Sequence, residues 1–310
     1  MANKEQLIEI FEDTKRWYEE ESKLAEAVRQ SVMQTKVYME EDAPALWEGL
    51  KNMERKAIGA ATVDAADTAD TPGTKEQRLT ITVSKNKTFE AALKLRQQFP
   101  NSKIAVHNFA SATNPGGGVT RGSRAQEECL CRCSTLYPAL NTKALWGQFY
   151  QYHRNRHDVR YTDTCIYTPD VLIIKTDTEM PERMPENEWC GVDVITCAAP
   201  NLRAIPNNAM NPGTGAPVKV SERELLELHI KRARHMLATA AVNGAEILVL
   251  GAFGCGAFQN KPEVVARAYR ETIDEFAPYF KWIEFAVYCS PRDSKNYEVF
   301  RRVLGKMGKE

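Results

Sequence analysis

Two adjacent acids, Glu127 and Glu128, follow closely after a run of three glycines, Gly116 to Gly118. Cleavage of a glycosidic bond needs a carboxylic acid that protonates the leaving oxygen and a group that stabilises an oxocarbenium-like centre. Neighbouring helical residues point roughly 100° apart, so the two carboxyl groups can contact different atoms of one ligand. The alternative is that both acids only stabilise the start of a helix, by about 0.3–1 kcal/mol each. The glycine loop beside them favours the catalytic interpretation.

A second glycine-rich loop spans residues 251–258, with the sequence Gly-Ala-Phe-Gly-Cys-Gly-Ala-Phe. Glycine reaches positive φ without steric cost, and successive N–H groups in such a turn form a concave site for an anion. Neither loop has the Gly-Lys-Ser/Thr of a Walker motif or the Gly-x-Gly-x-x-Gly of a dinucleotide fold. Two such loops at one edge of a sheet suit a diphosphate. A single loop of this kind would more readily be a tight strand–helix turn.

The surrounding pattern alternates apolar strand segments with helical segments, which predicts an α/β layered domain with a mostly parallel or mixed sheet. Both glycine loops directly follow predicted strands, and ligands of such sheets bind beyond the carboxyl ends of the strands. We predict strands at 79–83, 102–106, 171–175, 192–197, 245–250 and 283–289, and helices at 4–34, 88–99, 128–137, 221–240 and 262–276.

The domain organisation follows from the same pattern. Residues 1–60 are predicted to form an N-terminal helical extension, and 61–78, rich in Ala, Thr and Asp, a loop or linker. The main catalytic domain is predicted at 79–310. Within it, 202–219 is an irregular excursion rich in proline, and 141–165 is aromatic and basic without a clear assignment.

The composition excludes several function classes. The 310 residues carry 41 basic and 41 acidic side chains, so no global field favours nucleic acid or an anionic membrane. No apolar run reaches the roughly 18 residues of a membrane span, and no secretory signal begins the chain. The eight cysteines lack the spacing of a disulfide framework. We expect an intracellular protein, cytoplasmic or nuclear, without sequence-specific nucleic-acid binding or a membrane partner.

Metal ligands are weakly indicated. Cys129, Cys131 and Cys133 alternate, whereas zinc sites commonly use longer spacings in pairs, so small buried side chains are the favoured interpretation. His153 and His157 lie four residues apart, but no third ligand is evident and arginines surround them. A solvated surface is therefore favoured there, and no metal is predicted.

The first motif resembles the signature of poly(ADP-ribose) glycohydrolases: three glycines, a spacer of six to eight residues, and Gln-Glu-Glu. Here seven residues separate Gly118 from Gln126. The flanking residues resemble the shorter bacterial-type members, and 251–258 is similar to the second phosphate loop of that family. The resemblance covers roughly residues 75–290. It implies a macrodomain, a three-layer α/β/α sandwich with a mixed sheet.

The resemblance implies a role for each motif residue. Glu128 matches the general acid that protonates the departing ribose oxygen and then activates water, and Glu127 matches the acid that holds ribose hydroxyls. Gln126 would support the loop, and no cofactor is implied. The other residues implied to bind substrate are Asn108 and Phe258 at the distal ribose, and Gly116, Gly117, Gly118, Gly254, Cys255, Gly256 and Ala257 around the diphosphate. Cys255 would be a packing residue of this loop and no nucleophile.

The implied activity is hydrolysis of the ribose–ribose bond, with poly(ADP-ribose) or ADP-ribosylated protein as substrate and ADP-ribose as product. One alternative is a module that binds ADP-ribose without cutting it, against which the intact acid pair counts. Another is an enzyme of the same fold that acts on mono-ADP-ribosyl groups. A third is a nucleotide-binding or metal-dependent enzyme built on the histidines and cysteines.

Overall fold

A computed structural model describes residues 2–64, 78–290, 293–305 and 307. The described strands are β1 (Lys36–Tyr38), β2 (Thr80–Ser84), β3 (Ile104–Phe109), β4 (Cys165–Ile173), β5 (Cys190–Cys197), β6 (Ile247–Leu250) and β7 (Trp282–Ala286). They form one sheet in the order β1-β4-β5-β3-β6-β7-β2. β4 runs antiparallel to both neighbours, and the pairings from β5 to β2 are parallel. The predicted mixed sheet is confirmed.

The described helices are α1 (Lys4–Glu20), α2 (Ser22–Gln34), α3 (Ala43–Asp64), α4 (Thr88–Gln98), α5 (Gln126–Cys133), α6 (Leu136–Leu140), α7 (Lys143–Leu145), α8 (Tyr152–Arg156), α9 (Glu222–Val242), α10 (Pro262–Thr272) and α11 (Lys295–Leu304). None of the helices in the described ranges combines the length and the apolar character that a membrane span requires.

Helices cover both faces of the sheet, as the three-layer prediction requires. Along β3, Ile104 and Val106 face a core formed with α1, α4, α5 and α6, whereas Ala105 faces a core formed with α3, α9, α10 and α11. Strands covered on both faces read as continuous apolar runs, which is why residues 104–106 of β3 and Ile247–Leu250 of β6 are apolar at every position. The burial of these strands fixes the positions of the loops that follow them.

The glycine loops follow adjacent strands. β3 and β6 pair in parallel from Ile104 opposite Ile247 to Val106 opposite Val249. Their carboxyl ends therefore lie side by side, and the loops at 110–125 and 251–261 begin at the same edge of the sheet. This is the arrangement that the sequence pattern predicted.

The N-terminal part joins the same sheet. β1, which the sequence analysis did not predict, pairs with β4, and the Thr14 hydroxyl of α1 donates to the Arg132 carbonyl of α5 at 2.7 Å. The division into an extension at 1–60 and a catalytic domain at 79–310 stays a prediction. The linker predicted at 61–78 overlaps the end of α3, and its residues 65–77 lie outside the described residues.

Two predicted helices are interrupted. The helix expected at 4–34 breaks at Glu21, whose extended backbone ends α1 and whose side chain caps α2. The helix expected at 128–137 begins earlier, at Gln126, and ends at Cys133. Ser134 is extended and forms an isolated bridge with Ile173 of β4, which stops the helix. The bridge from Ser134 to Ile173 joins distant segments, so local periodicity could not predict that boundary.

Candidate active site

A cavity of about 930 Å³ opens at the carboxyl edge of the sheet. Its size falls in the range of small-molecule sites, roughly 300–1,000 Å³. Both glycine loops and both acids of the sequence motif contribute to its wall. The cavity therefore brings together most of the residues that the sequence analysis selected from two distant segments.

Glu127 is held from two sides. Its side chain is buried, with Oε2 accepting from the Ser111 backbone N–H at 2.7 Å and Oε1 from the Asn108 side chain at 3.3 Å. The pKa of Glu127 is raised to about 8, chiefly by burial and also by the charge of Glu128, against the opposing effect of the Ser111 and Asn108 donors. Both oxygens of this carboxyl group thus have partners inside the protein.

Glu128 is held from one side only. Its Oε1 accepts from the Gly118 backbone N–H at 2.8 Å, whereas its Oε2 is buried and has no hydrogen-bond partner among the described residues. Burial raises the pKa of Glu128, against the opposing effects of the Gly118 N–H and the Arg132 charge. A carboxyl group with one fixed oxygen and one unpartnered oxygen at a cavity wall is suited to exchange a proton with a ligand.

The first glycine loop packs directly against these carboxyl groups. Gly117 has a φ of +58°, and a Cβ there would lie 2.5 Å from Oε1 of Glu128 and 3.1 Å from Oε2 of Glu127. Gly116, with a φ of +66°, packs against the ring of Tyr137 in the same way. Glycine is needed at both positions for the backbone conformation and for this close approach.

The backbone N–H groups of the first loop are engaged within the protein. The Gly118 N–H donates to Glu128, the Gly117 N–H donates to the Asn114 carbonyl at 3.1 Å, and the Gly116 N–H lowers the pKa of Glu127. The first loop therefore holds the acids. Its contact with a diphosphate, which the resemblance implies, stays a prediction.

Gln126 ties the start of α5 to the end of β3. Its Oε1 accepts from the Phe109 N–H at 2.8 Å, and its Nε2 donates to the His107 carbonyl at 2.6 Å and to the Thr88 hydroxyl at 3.0 Å. These three bonds set the position of the helix turn that carries both acids. The supporting role implied for Gln126 has a clear geometric basis.

Several backbone N–H groups of the second glycine loop, unlike those of the first, have no acceptor among the described residues. No residue in the described ranges accepts a hydrogen bond from the N–H groups of Gly254, Gly256, Ala257 or Phe258, and all four residues line the cavity. Gly256 and Ala257 are exposed and Gly254 and Phe258 are half-buried, so a ligand can reach this part of the loop. A row of accessible, unpaired N–H groups on a cavity wall can bind an anionic ligand.

Three of the predicted substrate-binding residues lie behind the cavity wall. Asn108 is fully buried and donates to Glu127 and to the Thr196 hydroxyl, at 3.1 Å for the latter. Gly116 and Cys255 also lie outside the residues that line the cavity. Burial raises the pKa of the Cys255 thiol, which agrees with a packing role. The ribose contact of Asn108 stays a prediction.

The sequence analysis missed residues that complete the wall. The excursion at 202–219 folds over the first loop, where the Asn114 side chain donates to the Met210 carbonyl at 2.7 Å. Arg154 of α8 donates to the Thr113 carbonyl at 2.8 Å and to the Asn114 side chain at 2.5 Å, supporting the loop from behind. No local signal marks these residues, because their role depends on contacts between distant segments.

The structure shows where the histidines and cysteines considered as metal ligands lie. His153 is buried, with its ring nitrogens 2.8 Å from the Phe149 carbonyl and 2.9 Å from the Thr162 hydroxyl, so the prediction of a solvated surface is wrong for it. Cys131 and Cys133 are fully buried in the core, and Cys129 is partly exposed. Within the described ranges, no cluster of three or more His, Cys, Asp or Glu residues could hold a metal ion.

The chain that carries this site is similar to a known protein family. The family model described as microbial-type PARG, catalytic domain, where PARG is poly(ADP-ribose) glycohydrolase, matches residues 5–176. Among curated proteins, none matches this chain.

Solved structures extend the similarity over nearly the whole chain. The PARG of Thermomonospora curvata bound to the inhibitor ADP-HPD has a TM-score of 0.74 and 29% identity, covering 96% of this chain and 98% of its own. The PARG of Deinococcus radiodurans in complex with ADP-ribose has a TM-score of 0.70 and 31% identity, covering 90% of this chain and 97% of its own.

Proposed function

The chain belongs to the microbial-type poly(ADP-ribose) glycohydrolase family, and we propose that Glu128 is the general acid and base with which it hydrolyses the ribose–ribose bond of poly(ADP-ribose). The substrate is the polymer, free or attached to protein, and the product is ADP-ribose. The solved PARG from Deinococcus radiodurans in complex with ADP-ribose supports the choice of ligand. The proposed reaction uses the two carboxyl groups, the backbone N–H groups of the loops and water.

The assignment of the acid rests on one observation, the unpartnered Oε2 of Glu128. A protonated carboxyl group can donate from this oxygen to the departing ribose oxygen, while Oε1 stays fixed by the Gly118 N–H. Burial raises the pKa of Glu128 and so favours the protonated form before reaction. After the bond breaks, the carboxylate accepts a proton from the attacking water, by microscopic reversibility.

Glu127 has the complementary role of holding the sugar. Both of its oxygens are already fixed by Ser111 and Asn108, so their orientation is set before substrate arrives. A carboxyl group held in this way can accept hydrogen bonds from ribose hydroxyls without losing its position. Pre-positioned contacts of this kind lower the barrier because little reorganisation is left to the reaction itself.

The diphosphate is assigned chiefly to the second glycine loop. The unpaired N–H groups of Gly254, Gly256 and Ala257 lie on the same cavity as the acids. Backbone donors can bind phosphate oxygens without any net charge on the loop. Phe258, which packs beside Tyr161 with ring centroids 6.3 Å apart, borders this end of the site on the ribose side.

The test of Glu128 is its replacement by glutamine, which keeps the side-chain size and removes the titratable proton. We expect release of ADP-ribose from the polymer to fall about 10²–10⁴-fold, the usual contribution of a general acid, while affinity for ADP-ribose survives. Glu284→Gln is the matched control, because Glu284 is also a buried glutamate but lies on β7 outside the cavity lining. Undiminished turnover of Glu128→Gln would refute the assignment.

Assays with different substrates distinguish the proposed activity from the two alternative functions, a binding module and a mono-ADP-ribosyl hydrolase. A wild-type protein that binds labelled polymer and releases nothing is a binding module. Release from mono-ADP-ribosylated protein without release from polymer would identify the other hydrolase. The intact carboxyl pair, with one oxygen that has no hydrogen-bond partner among the described residues, favours cleavage over binding alone.

We also propose an intracellular site of action, cytoplasmic or nuclear. All eight cysteines are unpaired in the structure, which supports a reducing environment. The N-terminal residues 1–60 are proposed as an extension attached to the catalytic domain at 79–310. Labelling of free thiols in the native protein from cell extract tests the intracellular location, for which we expect reduced cysteines.

A further inference from the structure

Two buried polar side chains that are not part of the acid pair lie behind the second glycine loop. His229 of α9 and Asn260, which follows the loop, are each 2% exposed. Their side chains are in hydrogen-bond contact, with Nε2 of His229 2.9 Å from Oδ1 of Asn260. Neither residue lines the cavity, so neither is placed to touch a ligand there.

Asn260 closes the loop upon itself. Its Nδ2 donates to the Gly254 carbonyl at 3.1 Å and to the Pro200 carbonyl at 2.7 Å, and its backbone N–H also donates to the Gly254 carbonyl, at 3.0 Å. The side chain thereby joins the loop to the segment that follows β5. The carbonyls of the loop are bound from behind, whereas the N–H groups on the cavity side remain unpaired.

His229 and the carbonyls around the loop hold the Asn260 amide in one orientation. Burial lowers the pKa of His229 to about 4, so the ring is neutral near pH 7 and has one N–H group to donate. Because Nδ2 of Asn260 donates to the Gly254 and Pro200 carbonyls, its Oδ1 faces the ring and accepts from Nε2 of His229. The His229 contact therefore stabilises the amide orientation that the carbonyls select.

The packing leaves the loop little freedom to relax. Gly254 has a φ of +72°, and a Cβ there would lie 2.6 Å from Nδ2 of Asn260 and 2.5 Å from Cβ of Ala199. Phe253 packs between two buried histidine rings, with centroids 5.8 Å from His229 and 4.4 Å from His107. The loop is thus seated on His229 and Asn260 by both hydrogen bonds and ring contacts.

We propose that His229 and Asn260 are positioning residues that hold the second loop in the conformation presenting its backbone N–H groups to the diphosphate of ADP-ribose. This inference rests on the proposed function, because it takes ADP-ribose as the ligand. It assigns a binding role to two residues that do not contact the ligand. These two residues are expected to affect ADP-ribose affinity and not kcat, since the acids of the first loop are held by separate contacts.

The test compares two ligands and a conservative pair of variants. His229→Phe keeps an aromatic ring but removes the donor, and we expect ADP-ribose affinity to fall about tenfold, as for loss of a buried hydrogen-bond partner. His229→Gln retains an N–H donor and should stay within about threefold of wild type. Affinity for adenosine, which lacks the diphosphate, should be unchanged in both. Calorimetry with ADP-ribose and NMR titration with adenosine measure these effects.

Asn260→Ala is a second test of the positioning role and has its own control variant. We expect it to weaken ADP-ribose binding and raise KM for the polymer while kcat changes less than about threefold. Asn243→Ala removes a similar set of bonds, to the Thr239 carbonyl and the Tyr38 hydroxyl, away from the cavity, and should leave both constants unchanged. Thermal unfolding of each variant confirms that it is folded.

The outcomes separate this inference from the proposed reaction. Unchanged ADP-ribose affinity in folded His229→Phe and Asn260→Ala, or an equal loss for adenosine, would overturn the positioning role. Wild-type protein that binds ADP-ribose but does not cleave the polymer would refute the reaction alone, because the loop is tested by binding.

Discussion

The two glycine-rich loops lie on adjacent parallel strands and differ in where their backbone N–H groups are directed. In the first loop, Gly118 donates to Glu128 and Gly117 donates to Asn114. In the second, the N–H groups of Gly256 and Ala257 have no acceptor within the described part of the chain. One loop therefore holds the acids, and the other is open to an anion.

This difference teaches that glycine content alone does not identify a phosphate loop. Glycine permits a positive φ in both places, at Gly117 and at Gly254. The ligand site is indicated by donors that remain unpaired after the internal partners are counted. On this basis we propose that the chemistry belongs to the first loop and the diphosphate mainly to the second.

Among substitutions within the two loops, the largest effect is expected from Gly117→Ala, which tests whether the first loop holds the acids. The new Cβ would displace the carboxyl groups of Glu127 and Glu128, with which it would be in close contact. Because misplacement of a catalytic group by about 1 Å can cost 10²-fold, we expect kcat to fall by about that factor. Steady-state kinetics on the polymer measure it.

Gly244→Ala is the matched control for this substitution. Gly244 also has a positive φ, +76°, but a Cβ there has no heavy atom within 4 Å. It introduces the same kind of backbone strain without a clash, so kcat should stay at the wild-type value. A similar loss of kcat in both variants would mean that strain, and not displacement of the acids, reduces activity.

Gly254→Ala tests the second half of the comparison. Its Cβ would clash with Ala199 and with the Asn260 side chain and so disturb the open N–H groups. We expect ADP-ribose affinity to fall about tenfold or more, with kcat changed less than about threefold. A loss of kcat with unchanged affinity, the pattern expected of Gly117→Ala, would erase the distinction between the loops.

Gln126→Ala should have a smaller effect on the first loop. The variant loses the bonds to Phe109, His107 and Thr88, but the Gly118 contact to Glu128 remains. We expect kcat to fall about tenfold, with ADP-ribose affinity retained, since one anchor of several is removed. An affinity loss without a kcat loss would show that Gln126 supports binding instead.

A separate prediction concerns stability and pH instead of activity. Because burial raises the pKa of Glu127 to about 8, its contribution to stability is fully present below its unfolded pKa and is lost as pH rises through about 8. Glu127→Gln cannot ionise, so its melting temperature relative to wild type should rise between pH 5 and pH 9. Thermal unfolding across this range measures the difference, and a constant offset would contradict the raised pKa.

The sequence predicted the fold class, and it selected the acids and glycine loops that the structure brings to one cavity, because both depend on local signals. Alternating apolar segments predicted the strands, and the spacing from Gly118 to Gln126 identified the motif. Adjacent parallel strands then bring the two loops together, as β3 and β6 do.

Other features depend on contacts between distant segments and could not be predicted. Strand β1 forms only by pairing with β4, and Met210 reaches the first loop through a proline-rich excursion without periodicity. His153 was misassigned because its arginine neighbours indicated a surface, although its own ring turns inward to Phe149 and Thr162. The pairing of backbone donors that separates the two loops is likewise a property of the folded chain.

The most direct test is a crystal structure of Glu128→Gln bound to ADP-ribose. The account predicts diphosphate oxygens within hydrogen-bond distance of the Gly256 and Ala257 N–H groups. It also predicts the side-chain oxygen or nitrogen at the Oε2 position within about 2.6–3.2 Å of the oxygen on the anomeric carbon of the distal ribose. A diphosphate bound by the first loop, or a distal ribose beyond the reach of residue 128, would contradict the account.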